Sequence, residues 1–148
     1  MHKLQVAAGL LLLSLAASCT RENDIVEPAP APVGGKTGKM TLNITPRHHG
    51  VNITTATVYN RYNSLVYPKA DNKFDDSAAV ELKNNVPVAS FDSLAQGNYF
   101  LYAKGFDPAP KVNMEVVGSA TFTVVDTSQL VYNTFIEVSE TDGTNHIK

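Results

Sequence analysis

The sequence predicts an all-β protein whose one folded domain is an antiparallel Greek-key β-sandwich of about seven strands. One observation is the strict alternation of apolar and polar side chains over residues 39–46, which places Met40, Leu42 and Ile44 on one face of a strand. Another is that no helical period of apolar residues follows residue 38. Further stretches rich in β-branched and aromatic residues, bounded by turn residues, cover residues 53–62, 79–82, 86–91, 98–104, 116–125 and 130–138.

A third observation is the spacing of Leu94, Gly97 and Tyr99 before one of these stretches. The pattern Leu-x-x-Gly-x-Tyr is typical of a tyrosine corner, in which the glycine takes a positive φ and the tyrosine hydroxyl bonds to nearby backbone. A corner of this kind fixes the passage of the chain from one sheet to the other. The motif therefore predicts a crossover between two sheets at residues 94–99, and its role is structural.

The stretch from Phe91 to Tyr99, with the apolar strand 101–106 after it, resembles the prealbumin-like sandwiches. This group includes carboxypeptidase regulatory-like domains, Cna-B-type repeats and many small Bacteroidetes lipoproteins. The resemblance covers roughly residues 38–140 and implies the Greek-key fold. It implies little about activity, because such domains serve as spacers, stabilising modules or binding modules, and a fold does not fix a function.

The first 18 residues are typical of an export signal. Lys3 precedes a mostly apolar stretch, residues 4–17, which is shorter than the roughly twenty residues that a membrane-spanning helix needs. The one cysteine of the chain follows directly, and the stretch from Leu15 to Cys19 resembles the lipobox of bacterial lipoproteins. This resemblance implies cleavage before Cys19 and lipidation of its thiol. The alternative is an ordinary secretory leader followed by a chance cysteine.

The rest of the chain divides into three predicted parts. Residues 19–38 are rich in Pro, Ala, Gly and charge, which is typical of a flexible tether. Residues 39–140 form the predicted sandwich, and residues 141–148 a flexible tail. Glu22 and Asp24, close to the cysteine, are similar to the signal that sends Bacteroidetes lipoproteins to the cell surface. We therefore expect a lipid-anchored protein of the outer membrane, facing the periplasm or the cell surface.

Charge and cysteine content limit the possible partners. The formal net charge is -2, and no run of Lys or Arg could neutralise a row of phosphates, so nucleic acid is not an expected partner. The membrane is expected to hold the lipid anchor, and a protein or glycan of the cell envelope is a possible further partner. A single cysteine allows no internal disulfide bond, so the hydrophobic core must hold the domain together.

Two segments carry possible metal ligands, but we expect no metal and no cofactor. His48 and His49 share a metal only if their segment is a loop, because neighbouring strand residues point to opposite faces. With no cysteine and no suitably spaced carboxylate to complete the set, a solvated loop is the favoured interpretation. The acidic segment from Asp71 to Asp76 lacks the central glycine and closing glutamate of a Ca²⁺ loop, which favours a polar hairpin loop.

No arrangement of residues predicts catalysis. Ser90, Ser93 and Ser119 lie in predicted strands or turns, without the Gly-x-Ser-x-Gly elbow that presents a nucleophile beside a base. We therefore expect no catalytic residues.

Cna-B-type domains can also join their first and last strands by a Lys–Asn isopeptide bond, for which Lys39 and Asn133 are the candidates. The favoured alternative is an exposed Lys39 and a partly buried Asn133, without a bond.

Tyrosines are numerous enough to form an aromatic surface, although most are expected in the core or at the corner; they are Tyr59, Tyr62, Tyr67, Tyr99 and Tyr102.

The sequence as a whole predicts a lipid-anchored binding or accessory structural module without catalysis. One alternative is a subunit or accessory component of a surface fibre or adhesin, since Bacteroidetes fimbrillins are lipoproteins built from transthyretin-like domains. A carbohydrate-binding module is less favoured, because the chain has no Trp.

Overall fold

The computed structural model describes residues 34–108, 114–126 and 128–141, and these ranges contain strands and no helix. The all-β prediction is therefore confirmed. In chain order the strands are β1 (Met40–His48), β2 (Val51–Asn52), β3 (Thr55–Tyr62), β4 (Asp76–Ala79), β5 (Glu81–Lys83), β6 (Val86–Leu94), β7 (Gly97–Asp107), β8 (Met114–Val124), β9 (Val131–Glu137) and β10 (Ser139–Glu140).

The strands form two sheets that pack face to face. In the first sheet β1 lies between β6 and β9, with β5 beyond β6 and the short β2 beside the end of β1. The order of the second sheet is β10-β8-β7-β3-β4. Consecutive pairs of strands alternate between the sheets, so that β1 and β2, then β5 and β6, belong to the first, whereas β3 and β4, then β7 and β8, belong to the second.

The core fills the space between the two sheets. Every second residue of β1 is buried, from Met40 to His48, as the alternation in the sequence predicted. The inner face of the second sheet shows the same period on β7, where Tyr99, Leu101 and Ala103 are fully buried. No disulfide bond can support this packing, because the chain has one cysteine.

The stretch predicted as one strand at residues 79–82 is divided between two strands. β4 ends at Ala79 and pairs with β3 in the second sheet, whereas β5 begins at Glu81 and pairs with β6 in the first. The chain therefore changes sheets at Val80. A local apolar pattern does not distinguish a continuous strand from one that changes partners, which explains the difference.

Most strand pairs are antiparallel, but β1 and β9 are parallel. Their register runs from Thr41 opposite Val131 to Arg47 opposite Glu137. At the end of this ladder the backbone N–H of Val138 donates to the carbonyl of Arg47 at 2.8 Å. The first long strand and the last long strand of the described chain are thus neighbours, and both run in the same direction.

The tyrosine corner is present at the crossover from β6 to β7. Gly97 has a φ of 152° and Ser93 a φ of 62°, so the bend needs two residues outside the usual range for L side chains. The hydroxyl of Tyr99 donates to the carbonyl of Ala95 at 2.5 Å and accepts from the N–H of Gly35 at 3.1 Å. Burial raises the pKa of Tyr99, which keeps the hydroxyl protonated and able to donate. The predicted crossover is therefore confirmed.

The end of the predicted tether lies against this corner. The N–H of Gly38 donates to the carbonyl of Ser93 at 2.9 Å, and the N–H of Ala95 donates to the carbonyl of Gly35 at 2.7 Å. A Cβ on Gly38 would stand 2.0 Å from the carbonyl oxygen of Leu94, so only glycine allows this approach. Residues 34–38 are thus held on the sandwich by hydrogen bonds, and the packed part of the chain begins before residue 39.

The corner yields a test of fold stability. Tyr99→Phe removes the hydroxyl and leaves partly buried backbone groups of Gly35 and Ala95 without this partner, so we expect a loss of about 1 to 3 kcal/mol in the free energy of unfolding. Urea denaturation measures this loss. The matched control is Tyr132→Phe, which removes an exposed hydroxyl that donates to the carbonyl of Asp126, and it should change stability by less than about 0.5 kcal/mol. Equal losses in the two variants would contradict a special role for the corner.

Candidate functional site

The predicted lipidation site, Cys19, lies outside the described residues, as do the predicted leader and the start of the tether. Its role therefore stays a prediction. Among the described residues there is no helix long and apolar enough to span a membrane. The candidate sites on the folded part of the chain are a groove on the second sheet and a buried group of charged side chains at one end of β1.

The groove lies on the outer face of the second sheet and has a volume of about 420 Å³. It is open to solvent and combines two aromatic rings with hydroxyl groups and one ammonium group. Lys104 forms an ion pair with Glu115, with 2.8 Å between Nζ and Oε2. We call this surface the outer groove; the side chains that define it are Thr55, Thr57, Tyr59, Ala79, Lys104 and Phe106.

One wall of the outer groove is supported by a cluster of aromatic rings. The loop between β3 and β4 folds over the sheet and packs Tyr67 and Phe74 on Phe100 and Tyr102. The Phe74 and Tyr102 rings are stacked 5.9 Å apart, and the Tyr59 ring lies 5.4 Å from Phe74. Burial raises the pKa of Tyr102. The rings of Phe74 and Tyr102 thus pack against Tyr59, which forms one wall of the groove.

The tyrosines singled out in the sequence therefore divide between two places. Tyr59, Tyr67 and Tyr102 share the outer face of the second sheet. Tyr62 and Tyr99 instead meet at the corner, with their rings edge to face at 5.9 Å. The expectation that most of these five tyrosines lie in the core or at the corner is therefore wrong, because only Tyr62 and Tyr99 do so.

The acidic segment from Asp71 to Asp76 helps to hold the loop over the aromatic rings. Asp71 accepts from the backbone N–H of Lys73 at 3.1 Å, and Asp75 accepts from the N–H of Tyr62 at 2.7 Å. Asp76 pairs with Lys36, with 2.7 Å between Oδ2 and Nζ. These carboxylates thus bond to donors of the chain itself, in keeping with a polar loop.

The isopeptide candidates are not opposite each other. Asn133 is paired with Asn43 across the β1–β9 ladder, and the amide of Asn43 donates to the side chain of Asn133 at 3.0 Å. Lys39 lies four residues earlier in the chain and is exposed. Asn133 is also exposed, so the expectation that it is partly buried is wrong. The hydroxyl of Ser90 donates to the side-chain oxygen of Asn43 at 2.7 Å, so Ser90, Asn43 and Asn133 form a row of hydrogen-bonded polar side chains across the first sheet.

The second candidate site begins at the end of β1 and corrects the prediction for the two histidines. His48 is the last residue of β1 and is buried, with 4% of its surface exposed, so a solvated loop is wrong for this residue. His49 begins the turn with a φ of 50°, which breaks the alternation of the strand. The two rings therefore lie side by side, 4.1 Å apart, instead of on opposite faces.

Two carboxylates meet the His48 ring from other elements. Nδ1 of His48 donates to Oδ2 of Asp107, the last residue of β7, at 2.6 Å. Nε2 lies 3.2 Å from Oε1 of Glu140 on β10, and Nε2 of His49 lies 3.7 Å from the same oxygen. The side chains of Asp107 and Glu140 are 8% and 9% exposed. Three strands that are distant in the chain thus bring two imidazoles and two carboxylates together.

The charges of this group depend on one another. Burial alone would lower the pKa of His48, but the hydrogen bond to Asp107 and the nearby negative charges of Glu140 and Asp107 outweigh it and raise the pKa above its ordinary value. The pKa of Glu140 is lowered, first by its own backbone N–H and then by His48. Nε2 of His48 nevertheless makes no hydrogen bond of acceptable geometry among the described residues, although it is buried. One atom of each of His48, His49 and Glu140 lies within 4.8 Å of the other two.

The sequence did not single out Asp107 and Glu140 as site residues. The alternation along β7 places Asp107 on the same buried face as Tyr99 and Leu101, so an acid at that position was a detectable signal. Glu140 gives no such signal, because it follows the last predicted strand and lies at the end of the predicted domain. The pairing of β10 with β8 fixes the backbone of Glu140, and the two histidines contact its side chain.

Comparison with protein-family profiles finds no match, and no curated protein or solved structure matches the chain significantly. The similarity to prealbumin-like domains therefore stays a prediction, and the function is inferred from the residues of this chain.

The buried pair of His48 and Asp107 yields a second test. Asp107→Asn removes one carboxylate charge from a buried, hydrogen-bonded group, and we expect the free energy of unfolding to fall by about 3 to 5 kcal/mol. The control is Glu115→Gln, which removes an exposed partner of Lys104 and should cost less than about 1 kcal/mol. Urea denaturation of both variants gives the comparison. A loss for Asp107→Asn no larger than that of the control would show that the pair contributes little to folding.

Proposed function

We propose that this chain is a lipid-anchored module of the bacterial cell envelope that binds a partner through the outer groove and catalyses no reaction. The anchor is inferred from the lipobox-like stretch that ends at Cys19. The observation that carries the binding role is the outer groove itself, an open concave surface with aromatic rings and hydroxyl groups on a rigid sheet.

The groove offers two kinds of contact to a partner. Tyr59 and Phe106 present aromatic surface, and Phe106 is 40% exposed although it is large and apolar. Thr55 and Thr57 supply hydroxyl groups that donate and accept, and Lys104 adds a charge at the rim. This combination suits a partner with alternating apolar and polar surface, such as a segment of an envelope protein or a glycan chain.

A second candidate function, a subunit or accessory component of a surface fibre, is favoured by apolar side chains at the edges of the first sheet. Leu82 on β5 is 66% exposed, and Val131 and Phe135 on β9 are 47% and 49% exposed. Among the described residues, β5 pairs with β6 alone and β9 with β1 alone, so each keeps an edge on which another strand can add. This function would be favoured over the first if the wild-type protein forms polymers as its concentration rises and the Phe135→Ser variant does not.

Photo-crosslinking in intact cells tests the binding proposal. A photoreactive residue placed at Thr57, in the outer groove, should give a discrete heavier adduct, whose partner is identified by mass spectrometry. Adding Phe106→Ser should reduce the yield at least about tenfold, because the loss of a buried aromatic contact costs on the order of 2 kcal/mol.

The matched control for this experiment is Phe135→Ser, a substitution of an equally large and similarly exposed ring on the other sheet. It should leave the adduct at Thr57 unchanged. If no adduct forms at Thr57, or if both substitutions reduce it equally, the outer groove is not the binding surface.

The anchor is tested by the intact mass of the protein from membrane and soluble fractions. The wild-type chain should begin at Cys19 and carry the mass of two or three acyl chains, because stable anchoring needs more than one. Cys19→Ala should lack this mass and keep the leader. An unlipidated wild-type chain in the soluble fraction would show that the leader is an ordinary secretory one. Protease treatment of intact cells then distinguishes the cell surface from the periplasm.

A further inference from the structure

We propose that His48, His49 and Glu140 form a binding site for a divalent transition-metal ion such as Zn²⁺, with Asp107 as the carboxylate that orients His48. The site is independent of the outer groove and of the binding role proposed for it. It lies where the end of β1, the end of β7 and β10 meet.

The distances between the donor atoms fit one metal ion. Tetrahedral zinc with bonds of about 2.0 to 2.1 Å places its ligand atoms roughly 3.3 Å apart. Oε1 of Glu140 lies 3.2 Å from Nε2 of His48 and 3.7 Å from Nε2 of His49. All three residues offer a ligand atom within 4.8 Å of the other two. Shifts of a few tenths of an ångström to about 1.5 Å bring these atoms to the tetrahedral spacing.

The environment of His48 is the second observation that points to a ligand. In metal sites, a histidine ligand commonly donates its other ring N–H to a carboxylate, which fixes the tautomer and leaves a lone pair for the metal. Nδ1 of His48 makes this bond to Asp107 at 2.6 Å, and Nε2, on the other side of the ring, lies 3.2 Å from Oε1 of Glu140. Nε2 is buried without a hydrogen bond of acceptable geometry, and a metal ion would satisfy it.

A protonated His48 between two acids is the simpler interpretation of the same group, but it does not account for His49. The positive φ of His49 belongs to the two-residue turn that it forms with Gly50, but its ring also lies against the His48 ring, with Nε2 near the same oxygen of Glu140. A cation shared by both rings and this oxygen explains the convergence of all three. His49 is 57% exposed, so an ion reaches the site from solvent and a water molecule can complete its coordination.

The ligand chemistry selects the class of ion. Two imidazoles and one carboxylate suit zinc and similar late first-row ions, whereas Ca²⁺ and Mg²⁺ prefer six or more oxygen ligands. Bound there, the ion would link the end of β1 to β10, a two-residue strand that pairs with β8 and is followed by one backbone hydrogen bond from Thr141 to Glu115. The expected role of the ion is therefore to fasten the end of the described chain to the sandwich.

Calorimetric titration with ZnCl₂ tests the site. Detergent-solubilised protein, prepared without a histidine tag and freed of metal with a chelator, should bind one equivalent of Zn²⁺ and give no heat with Mg²⁺ or Ca²⁺. His49→Gln and Glu140→Gln should each lower the affinity at least about tenfold, since loss of even an orienting partner costs about 10- to 100-fold. Because His49 is exposed, His49→Gln should fold normally, and circular dichroism checks this.

The matched control is Glu137→Gln, which changes an exposed carboxylate on β9 and should keep the wild-type affinity. Co²⁺ substitution gives an independent signal, because a tetrahedral site with nitrogen ligands shows visible absorption that His49→Gln should abolish. A repeat in a Cys19→Ala background excludes the cysteine thiol as the ligand. The proposal fails if the wild type binds no stoichiometric Zn²⁺, if His49→Gln and Glu140→Gln bind as tightly as the wild type, or if Glu137→Gln weakens binding equally.

Discussion

The parallel pairing of β1 with β9 is the constraint on which the rest of the structure depends. With β9 on one side and β6 on the other, β1 has a hydrogen-bonded neighbour along both edges. This pairing holds Leu42 and Ile44 against the second sheet. It also sets the direction in which the chain leaves β9. Because both strands end at the same edge of the sheet, Val138 follows beside Arg47, and β10 begins next to His48. An antiparallel β9 would have carried Glu140 to the opposite end of the sandwich. The buried group of imidazoles and carboxylates is thus a consequence of strand direction.

The features that the sequence predicted well are those that depend on near neighbours. The tyrosine corner needs only Leu94, Gly97 and Tyr99 in their spacing, and it forms as expected. Residue type alone also favours turns at asparagine, and Asn84 and Asn85 join β5 to β6 with both residues at positive φ, which matches the twist of a two-residue hairpin. Alternation along β1 correctly marked its buried face, because one side of the strand meets the core along its whole length.

What the sequence did not predict depends on partners that are distant in the chain. The change of sheet at Val80 and the direction of β9 are decided by which strand lies alongside, and the local period is the same in either case. The histidines illustrate the same limit at the scale of one residue. The strand rule places His48 and His49 on opposite faces, and one positive φ sets them side by side. Their carboxylate partners come from β7 and β10, which no motif around the histidines indicates.

The attachment of residues 34–38 to the tyrosine corner has a mechanical consequence. Under the proposed anchoring at Cys19, tension from the membrane would enter the domain at the corner, where backbone hydrogen bonds tie Gly35 and Gly38 to the end of β6 and the bend after it. From there it passes along β1, whose nine residues span about 30 Å at roughly 3.3 Å per residue. A load along this strand shears the ladders to β6 and β9, so that many hydrogen bonds resist together instead of opening one at a time. This arrangement of β1 between two strands would resist unfolding when the domain is pulled from its amino-terminal side.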